Sequence, residues 1–401
     1  MTATNRIDGA LQQLQRGGLV VVADDQDREG EGDLIGLAEK MTPATVNTMV
    51  TQARGLLCVP MAPAQVQRLG LEPMAQEQDA FGTAFLQGTD AKATTTGISA
   101  ADRATTIRQL ANPQTTPADF YHPGHIFPLQ ARQGGVLARN GHTEAAVDLA
   151  RLAGAMPVAA IIEILKDDGT MMRQSELRAF ARQAGYPFIT IAELQAYRKA
   201  QLQRKLRRLA PVQLPTQYGT FQLTAYQTSA DQEPALLISQ GEISAEEPLL
   251  LRVHSECLTG DVFGSLRCDC GEQLAAALQT IAAAGHGAVL YLRQEGRGIG
   301  LANKLAAYRL QEAGLDTVEA NQQLGFAPDE RDYELAAAIL RDQGVTELDL
   351  MTNNPDKLTQ LANAGITVRK RIPLEIKPHA TNRDYLATKK HKMQHLLREI
   401  D

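Results

Sequence analysis

Residues 19–33 read LVVVADDQDREGEGD, and this stretch predicts the fold of the first half of the chain. The apolar run 19–23 has the length and the β-branched composition of a buried strand. Similar runs at 56–61, 158–165 and 187–191 alternate with helical patterns. Strands that alternate with helices are typical of layered domains in which helices pack on a sheet. Helices are predicted at about 8–16, 42–53, 143–153, 175–184 and 192–208.

The second half shows the same alternation with different motifs. A basic run followed by Pro211 and Pro215 ends the last helix of the first half, so we place the domain boundary between residues 205 and 206. The basic run is interpreted as part of a solvated linker helix, with phosphate or partner binding as the alternative. The sequence thus predicts two unrelated layered domains of the α/β and α+β classes, 1–205 and 206–401, each a mixed sheet with packed helices. Strands are predicted at 219–227, 235–239, 248–254, 287–292, 347–352 and 366–371, and helices at 271–284, 300–313, 330–343, 355–363 and after 385.

The composition excludes several classes of protein. The 401 residues include 40 Lys and Arg against 46 Asp and Glu, which gives a net charge of −6, and 44% are hydrophobic. This apolar content argues against disorder, and the acidity argues against a general nucleic-acid binder. No apolar run approaches the roughly 18 residues of a membrane span, and the N-terminus lacks the apolar region of a signal peptide. We therefore expect a cytoplasmic protein without a membrane or nucleic-acid partner.

The acidic loop at 24–33 is the densest chemical signal. Six of its ten residues are carboxylates, which repel one another at this spacing unless a cation is present. Mg²⁺ prefers oxygen ligands, and Gly30 and Gly32 let the backbone curl so that alternate side chains point at one centre. The loop therefore predicts a Mg²⁺ site, with a solvated acidic turn as the alternative.

Two later segments contribute further polar groups. YHPGHIFPL and GGVLARNGHTEAAVDL place His125 and His142 on Gly-rich loops, and the second is predicted to end a strand at Arg139 and to start a helix near Thr143. A helix N-terminus with these side chains suits an anionic or metal-bound ligand. Glu163 lies within the apolar run AAIIEIL, where a carboxylate is costly unless it is paired or catalytic.

Together these motifs resemble the 3,4-dihydroxy-2-butanone 4-phosphate synthase family. DREGEGD, TTGISAADRATTI, HPGHIFPL, RNGHTEAAVDLARLAG and EILKDDGTM carry the resemblance, which covers nearly all of residues 6–198. It implies conversion of D-ribulose 5-phosphate to 3,4-dihydroxy-2-butanone 4-phosphate and formate, with Mg²⁺ or Mn²⁺. Glu29 and His142 would be metal ligands, and His125 and Glu163 would be the catalytic pair. The implied substrate contacts are Arg28, Glu29, Asp33, Arg139, Asn140, Gly141, His142, Thr143 and Glu163.

The chain departs from this family's pattern around the substrate site. His122 stands where the family usually has arginine before Pro-Gly-His, and TAFLQGTD at 83–90 replaces a segment that resembles TAFTVSVD. The stretch MAQEQDA at 74–80 is also unlike the common pattern. These departures motivate an alternative in which the first half is a catalytically inactive structural partner.

Three of the four cysteines lie within fourteen residues of the second half, at Cys257, Cys268 and Cys270. Four cysteines are too few for a disulfide scaffold, whereas three thiolates at this spacing suit Zn²⁺. Three protein ligands with one open position are typical of catalytic zinc, and a fourth ligand from His254 would make a structural site. The sequence predicts the catalytic arrangement. A zinc module for nucleic acid is a remote alternative, because the net charge is −6 and the chain has no Trp.

Other motifs of the second half suggest phosphate binding. RQEGRGIGL places three glycines and Arg297 between a predicted strand and helix, where backbone N–H groups bind phosphate. Asp329 and Arg331 are two residues apart and would not share a helix face, so a loop or helix start must present both. Thr352 and Lys357 lie at a strand end and the next helix start, a common place for ligand contacts in α/β layers.

VHSECLTGDVFGSLRCDCG, RQEGRGIGL, DTVEANQQLGF and TNNPDK resemble GTP cyclohydrolase II over about 212–398. The resemblance implies that GTP is opened to 2,5-diamino-6-ribosylamino-4(3H)-pyrimidinone 5′-phosphate, with release of formate and pyrophosphate. The three cysteines would bind Zn²⁺, and Asp329 would accept a proton. The family role of Arg331 is a nucleophile, but a guanidinium is a poor nucleophile, and we favour charge stabilisation. The implied GTP contacts are Arg252, Val253, His254, Ser255, Glu256, Gln273, Glu295, Gly296, Arg297, Tyr308, Thr317, Thr352 and Lys357.

The two halves together predict a bifunctional enzyme of riboflavin biosynthesis, a lyase joined to a hydrolase. Both implied reactions release formate, and both products feed the same pathway. The first resemblance also implies a homodimer in which residues of one subunit reach the site of the other.

Overall fold

The computed structural model of the chain describes residues 3–25, 28–74, 82–229, 233–244, 247–324, 326, 328–398 and 400. The chain divides into two compact units, Met1–Arg198 and Lys199–Asp401. Each unit is built on a mixed eight-stranded sheet with packed helices, which confirms the predicted fold class. Among the residues described, no helix combines the length and the apolar composition that crossing a bilayer demands.

The sheet of the first unit has the strand order β4-β6-β3-β7-β2-β1-β8, with β5 paired to β6. The pairs β1–β8 and β3–β6 are parallel, and the other pairs are antiparallel. The strands are β1 (Val20–Ala23), β2 (Gly32–Leu37), β3 (Cys58–Met61), β4 (Ala84–Phe85), β5 (Thr89–Ala91), β6 (Phe120–Gln130), β7 (Ala159–Glu163) and β8 (Phe188–Thr190). The helices in this part of the chain are α1 (Ala3–Gln15), α2 (Pro43–Gln52), α3 (Pro63–Arg68), α4 (Ala100–Ala111), α5 (His142–Leu152), α6 (Gln174–Ala184) and α7 (Ile191–Lys205).

Strand β1 lies between β2 and β8 in the first sheet and is buried on both faces. Val21 packs into one apolar cluster, whereas Val20 and Val22 pack into the cluster on the opposite face. This alternation follows from the two-residue period of a strand. Each buried valine contributes about 1.5–3 kcal/mol of transfer free energy, so the strand that precedes the acidic loop is firmly held.

The pairing of β1, β2 and β7 brings polar residues together at one end of these three adjacent strands. Ala23 at the end of β1 pairs with Gly32 at the start of β2. Asp33 in β2 pairs with Glu163 at the end of β7. The acidic loop and Glu163 therefore meet at the same end, although they are far apart in sequence.

The sheet of the second unit has the order β10-β11-β12-β14-β13-β15-β16, with β9 paired to β11. Strands β13, β14, β15 and β16 pair in parallel, and the remaining pairs are antiparallel. The strands are β9 (Arg207–Arg208), β10 (Val212–Thr216), β11 (Gly219–Gln227), β12 (Ala235–Gln240), β13 (Leu249–Ser255), β14 (Gly287–Leu292), β15 (Glu347–Met351) and β16 (Thr367–Ile372). The helices are α8 (Leu258–Asp261), α9 (Cys270–Ala284), α10 (Leu301–Glu312), α11 (Thr317–Gln323), α12 (Glu334–Asp342), α13 (Pro355–Asn363) and α14 (Arg383–His391).

Three local predictions are wrong. His125 lies within the eleven-residue strand β6 and not on a loop, because β3 and β5 both pair with this segment. The segment before Arg139 contains a 3₁₀ turn at Gly135–Leu137 and no strand. The last helix of the first half ends at Lys205, and Arg207–Arg208 forms β9 because it pairs with β11.

Candidate active sites

The acidic loop, with its neighbour His142, forms a candidate metal site at this end of the strands. Asp24, Glu29 and His142 each place one ligand atom so that the three atoms lie within 4.8 Å of one another. His142 is the first residue of α5 and is buried, and its Nε2 has no hydrogen-bond partner in the described part of the chain. An orphaned buried nitrogen beside two carboxylates fits a divalent cation. Asp27 of the same loop lies outside the described residues.

The loop wraps around the buried carboxylate of Asp24. The Asp24 side chain accepts hydrogen bonds from the backbone N–H groups of Glu29 and Glu31, at 3.3 and 2.8 Å. Arg28 lies between two candidate ligands, since its Nη1 is 2.9 Å from Asp24 Oδ2 and its Nη2 is 2.7 Å from Glu29 Oε1. The predicted substrate contact Arg28 is thus placed directly at the candidate metal site.

Asp33 and Glu163 form a pair of like charges beside the metal site. They occupy facing positions in β2 and β7, and Asp33 Oδ1 lies 3.9 Å from His142 Nδ1. Burial, and then the charge of Glu163, raise the pKa of Asp33 well above its usual value. Glu163 Oε2 accepts a hydrogen bond of 2.7 Å from the Leu56 N–H, and a Cβ on Gly55 would come within 2.4 Å of the same oxygen. The glycine is therefore required for this approach.

The start of α5 carries an arginine that is held in place by a buried carboxylate. Arg139 Nη1 donates to Glu144 Oε2 at 2.6 Å, and Arg139 Nη2 donates to Thr83 Oγ1 at 3.1 Å. A Cβ on Gly141 would lie 2.3 Å from Arg139 Nη1, so the glycine allows the guanidinium to fold back over the helix start. With Asn140 preceding the helix and Thr143 in its first turn, this arrangement suits a phosphate group.

The hydrogen bonds described for the His125 ring and backbone N–H go to Asp90 and not to the residues of the candidate metal site. Its Nδ1 is 2.6 Å from Asp90 Oδ2, and its backbone N–H donates to Asp90 Oδ1 at 3.0 Å. Its side chain is 47% exposed. No hydrogen bond or ion pair joins it to Glu29, His142 or Glu163 among the residues that the structure describes. The two residues of the predicted catalytic pair, His125 and Glu163, thus share no hydrogen bond or ion pair in the described part of the chain.

The structure describes only some of the positions at which the chain departs from the family pattern. His122 Nδ1 lies 2.7 Å from Thr89 Oγ1 and 3.3 Å from the Gly88 carbonyl oxygen, so the imidazole packs locally. Residues 75–81, which include most of the divergent stretch 74–80, lie outside the described residues.

The three clustered cysteines form a second candidate metal site, in the second unit. Cys257, Cys268 and Cys270 place their sulfur atoms within 4.8 Å of one another, and none is in a disulfide. A Cβ on Gly260 would lie 3.0 Å from Cys268 Sγ and 3.2 Å from Cys257 Sγ, so the glycine leaves room for the thiols to converge. Three free thiols that converge in this way fit Zn²⁺.

His254 is hydrogen-bonded to a carboxylate and is not a member of the sulfur group found among the described residues. Its Nε2 lies 3.1 Å from both carboxylate oxygens of Asp261, and its ring stacks on Tyr291. The group of candidate ligands found among the described residues contains the three cysteines without His254. This geometry favours three protein ligands over the four-ligand alternative.

A buried lysine, which the sequence did not single out, contacts the sulfur cluster. Lys304 Nζ lies 3.2 Å from Cys257 Sγ, 2.9 Å from Thr259 Oγ1 and 2.7 Å from Glu295 Oε1. Burial opposes its charge, but the hydrogen bonds to Glu295 and Cys257 raise the pKa of Lys304 above its usual value. The ammonium therefore stabilises a thiolate at Cys257.

The sulfur cluster opens into a cleft, and all three cysteines belong to its lining. The cleft is lined by twelve of the thirteen predicted GTP contacts: Arg252, His254, Ser255, Glu256, Gln273, Glu295, Gly296, Arg297, Tyr308, Thr317, Thr352 and Lys357. The remaining one, Val253, contributes its carbonyl oxygen, which accepts a hydrogen bond of 2.7 Å from Lys357 Nζ. The structure thus brings these dispersed residues together around one cavity.

The cleft is rich in cations. Burial, and then Arg252 and Arg331, lower the pKa of Lys357 well below its usual value. Arg297 has a left-handed backbone with φ +61°, and both of its terminal nitrogens are buried without a hydrogen-bond partner in the described part of the chain. A strained backbone that presents an unsatisfied guanidinium indicates a ligand-binding position.

Asp329 and Arg331 lie on the segment before α12 and form a two-point ion pair. Arg331 Nε donates to Asp329 Oδ1 at 2.8 Å, and Arg331 Nη2 donates to Asp329 Oδ2. Although burial alone would raise it, the pKa of Asp329 is lowered by Arg331. The same pairing raises the pKa of Arg331, also against the effect of burial. A guanidinium held in its charged form is suited to stabilising negative charge.

Comparison with known proteins supports the two-part organisation. The sequence model of the 3,4-dihydroxy-2-butanone 4-phosphate synthase family matches residues 8–197, and that of the GTP cyclohydrolase II family matches residues 207–373. Over 394 residues the chain is 52% identical to the riboflavin biosynthesis protein RibBA of Bacillus cytotoxicus and 53% identical to that of Bacillus cereus, with 98% of this chain and 99% of each relative covered. The crystal structure of RibBX, a two-domain 3,4-dihydroxy-2-butanone 4-phosphate synthase from A. baumannii, matches with a TM-score of 0.54 and 32% identity, over 92% of this chain and 99% of that chain.

The fold and the two sites define a two-domain enzyme, and the described residues of each domain contain a candidate metal site. The chain belongs to the family of bifunctional riboflavin biosynthesis proteins, in which a 3,4-dihydroxy-2-butanone 4-phosphate synthase, a lyase, is joined to a GTP cyclohydrolase II, a hydrolase. The predicted family and its two activities are confirmed.

The orientation of His125 gives a first testable prediction. Gly97 has φ +83°, and a Cβ there would lie 2.1 Å from Asp90 Oδ2 and 2.6 Å from His125 Nδ1. If His125 is the general acid or base that the sequence predicts, Gly97→Ala should displace it and lower kcat for formate release from ribulose 5-phosphate by at least about 100-fold. The matched control is Gly154→Ala, which has φ +74° and nothing within 4 Å of the added Cβ. Equal activity of the two variants would show that the Asp90–His125 contact is dispensable.

Lys304 gives a second prediction, which concerns metal affinity. Lys304→Met removes the ammonium that contacts Cys257, so the zinc dissociation constant should rise about 10- to 100-fold, as for other partners of metal ligands. Competition with a chromophoric chelator measures this constant. Lys370→Met, at an exposed position of β16, is the control. Unchanged zinc affinity in Lys304→Met would contradict the assigned role.

Proposed function

We propose that the first site converts D-ribulose 5-phosphate to 3,4-dihydroxy-2-butanone 4-phosphate and formate with Mg²⁺ or Mn²⁺ bound by Glu29, His142 and Asp24. The observation that carries this proposal is the convergence of three ligand atoms on one centre. A bound divalent ion supplies Lewis acidity, which polarises the ketone and hydroxyl oxygens of the substrate and acidifies the adjacent C–H. Asp24 is an addition to the two ligands that the sequence predicts.

The residues around this centre have separate tasks. Arg139 and the N-terminus of α5 bind the phosphate and fix the distance between the phosphate and the reacting carbons. Burial and the neighbouring Glu163 favour the protonated form of Asp33, so Asp33 can give a proton to the substrate, and the Glu163 carboxylate beside it acts as a second proton-transfer group during enolisation and dehydration. His125, whose Nδ1 is turned to Asp90, presents Nε2 as a further proton-transfer group.

In the second unit, the thiolates of Cys257, Cys268 and Cys270 would hold Zn²⁺ in the cation-rich cleft, which would accept GTP. The bound ion supplies Lewis acidity for hydrolytic opening of the imidazole ring of the purine. Arg297 and Lys357 neutralise the triphosphate, and Asp329 accepts a proton. Arg331 stabilises the charge that develops at the α-phosphate, because its pairing with Asp329 maintains the guanidinium.

The first site is proposed to be completed in a homodimer. The His125 imidazole is half exposed and makes no hydrogen bond or ion pair with the acidic group in the described part of the chain. A side chain that transfers protons in catalysis must lie within hydrogen-bonding distance of the substrate. An exposed imidazole is not held at such a distance. A second copy that places its His125 at this site would supply both the contact and the exclusion of water.

Inactivation of one site at a time tests the two activities. Glu163→Ala should lower formate release from ribulose 5-phosphate by at least about 100-fold and leave GTP turnover unchanged, because only the first site loses a proton-transfer group. Cys268→Ser should have the opposite effect, because it removes a zinc ligand. Formate is measured in both assays on the same preparations. A wild type that turns over GTP but not ribulose 5-phosphate would show that the first half is an inactive structural partner.

Mixed dimers test the homodimer. If His125 acts on the partner's substrate, a dimer of one His125→Ala subunit and one Glu163→Ala subunit contains one intact site and one doubly damaged site. Dimers purified through two different affinity tags should therefore regain about half of the wild-type activity on ribulose 5-phosphate, by the additivity expected for independent sites. Each variant alone serves as the control. No recovery would place His125 and Glu163 in the same subunit's site.

A further inference from the structure

One wall of the cleft in the second unit is formed by residues that follow the family match. The sequence model of the cyclohydrolase family matches residues 207–373. Tyr385, Lys389, Met393 and His395 line the cleft, and all four belong to α14 or the segment after it. The predicted GTP contacts come from earlier elements of the unit. The predicted GTP contacts therefore do not explain why residues of the C-terminal segment line the cleft.

The segment is fixed on both sides of the cleft. Lys392 forms ion pairs with Asp316 and Glu319 at the start of α11, the second with a distance of 2.8 Å. On the other side, the Leu396 N–H donates to the Asn353 carbonyl oxygen at 2.8 Å. The neighbouring residues Thr317 and Asn353 both line the cleft. These contacts hold the chain between Lys392 and Leu396 across the cavity.

Lys389 adds a buried positive charge to the cleft. Its Nζ is 2.7 Å from Asp269 Oδ1 and lies 4.5 Å from the centre of the Tyr385 ring. The guanidinium of Arg297 lies 5.8 Å from the centre of the same ring. Tyr385 thus contacts one cation from each wall, which brings the C-terminal wall and the Gly-rich segment together.

His395 supplies the observation that points to a ligand. Its Nε2 is buried and has no hydrogen-bond partner among the described residues, whereas buried polar atoms in folded proteins are normally satisfied. Burial, and then Lys389, Arg331 and Arg297, lower the pKa of His395 to about 2. The imidazole is therefore neutral and lies among three cations, where an anion would supply the missing partner.

We propose that the segment 383–398 is part of the GTP-binding site, in which His395 Nε2 donates a hydrogen bond to the triphosphate and Lys389 contributes charge. This inference rests on GTP being the ligand of the cleft. The triphosphate is the anion that the proposed reaction brings to this cluster of cations, and its oxygens accept hydrogen bonds. The segment then closes the cleft over the phosphates and limits the entry of water.

The test compares binding of two probes to zinc-loaded, full-length protein. The α,β-methylene analogue of GTP carries the triphosphate but cannot be cleaved between its α- and β-phosphorus atoms, and guanosine lacks phosphates. His395→Leu removes the donor with little change in volume, and His395→Gln retains an N–H donor. The matched control is His379→Leu, whose imidazole is paired with Glu272 and does not line the cleft.

We expect His395→Leu to weaken binding of the analogue about 10- to 100-fold, as for loss of a hydrogen bond to a charged group. Guanosine affinity, zinc content and turnover of ribulose 5-phosphate should not change, and His395→Gln should recover much of the loss. Unchanged analogue affinity in His395→Leu, or an equal loss for guanosine, would overturn the inference. A wild type that neither binds the analogue nor releases formate from GTP would overturn the GTP assignment as well.

Discussion

The constraint on which both sites depend is a group of closely spaced side chains of like charge, which Arg28 and Lys304 neutralise only in part. Asp33 and Glu163 face each other across two strands, and the pKa of Asp33 is raised by burial and by its neighbour. In the second unit, three thiols converge within 4.8 Å. Such groups are costly without protons or a cation. We therefore propose that metal binding completes two electrostatically incomplete arrangements.

The two units meet this constraint with groups of different chemical hardness. Carboxylate and imidazole ligands at the end of β1 and the start of α5 suit a hard ion such as Mg²⁺, whereas the thiolates suit Zn²⁺. Rigid elements position both sets: the acidic loop connects two paired strands, and Cys270 is the first residue of α9. A preformed site of this kind needs little rearrangement when the ion binds.

Much of the fold was readable from sequence because apolar periodicity reflects burial. The strand β1 and the helix that begins at His142 agree closely with the sequence pattern, whereas the loop predicted at His125 is wrong, because the neighbouring Pro and Gly indicate a turn although the segment is the strand β6. The segment forms a strand because β3 and β5 pair with it. This pairing depends on residues that are distant in sequence, so the local pattern does not reveal it. The contacts of Asp90 with His125 and of Lys304 with Cys257 were missed for the same reason, since each joins residues more than thirty positions apart.

Anomalous diffraction tests the central claim that two different metals occupy these two sites. Crystals grown with Mn²⁺ in place of Mg²⁺ would be measured on both sides of the zinc and manganese absorption edges. The account predicts a zinc peak among the sulfur atoms of Cys257, Cys268 and Cys270, and a manganese peak bounded by Asp24, Glu29 and His142. Absence of either peak from its site, or one metal in both sites, would contradict it.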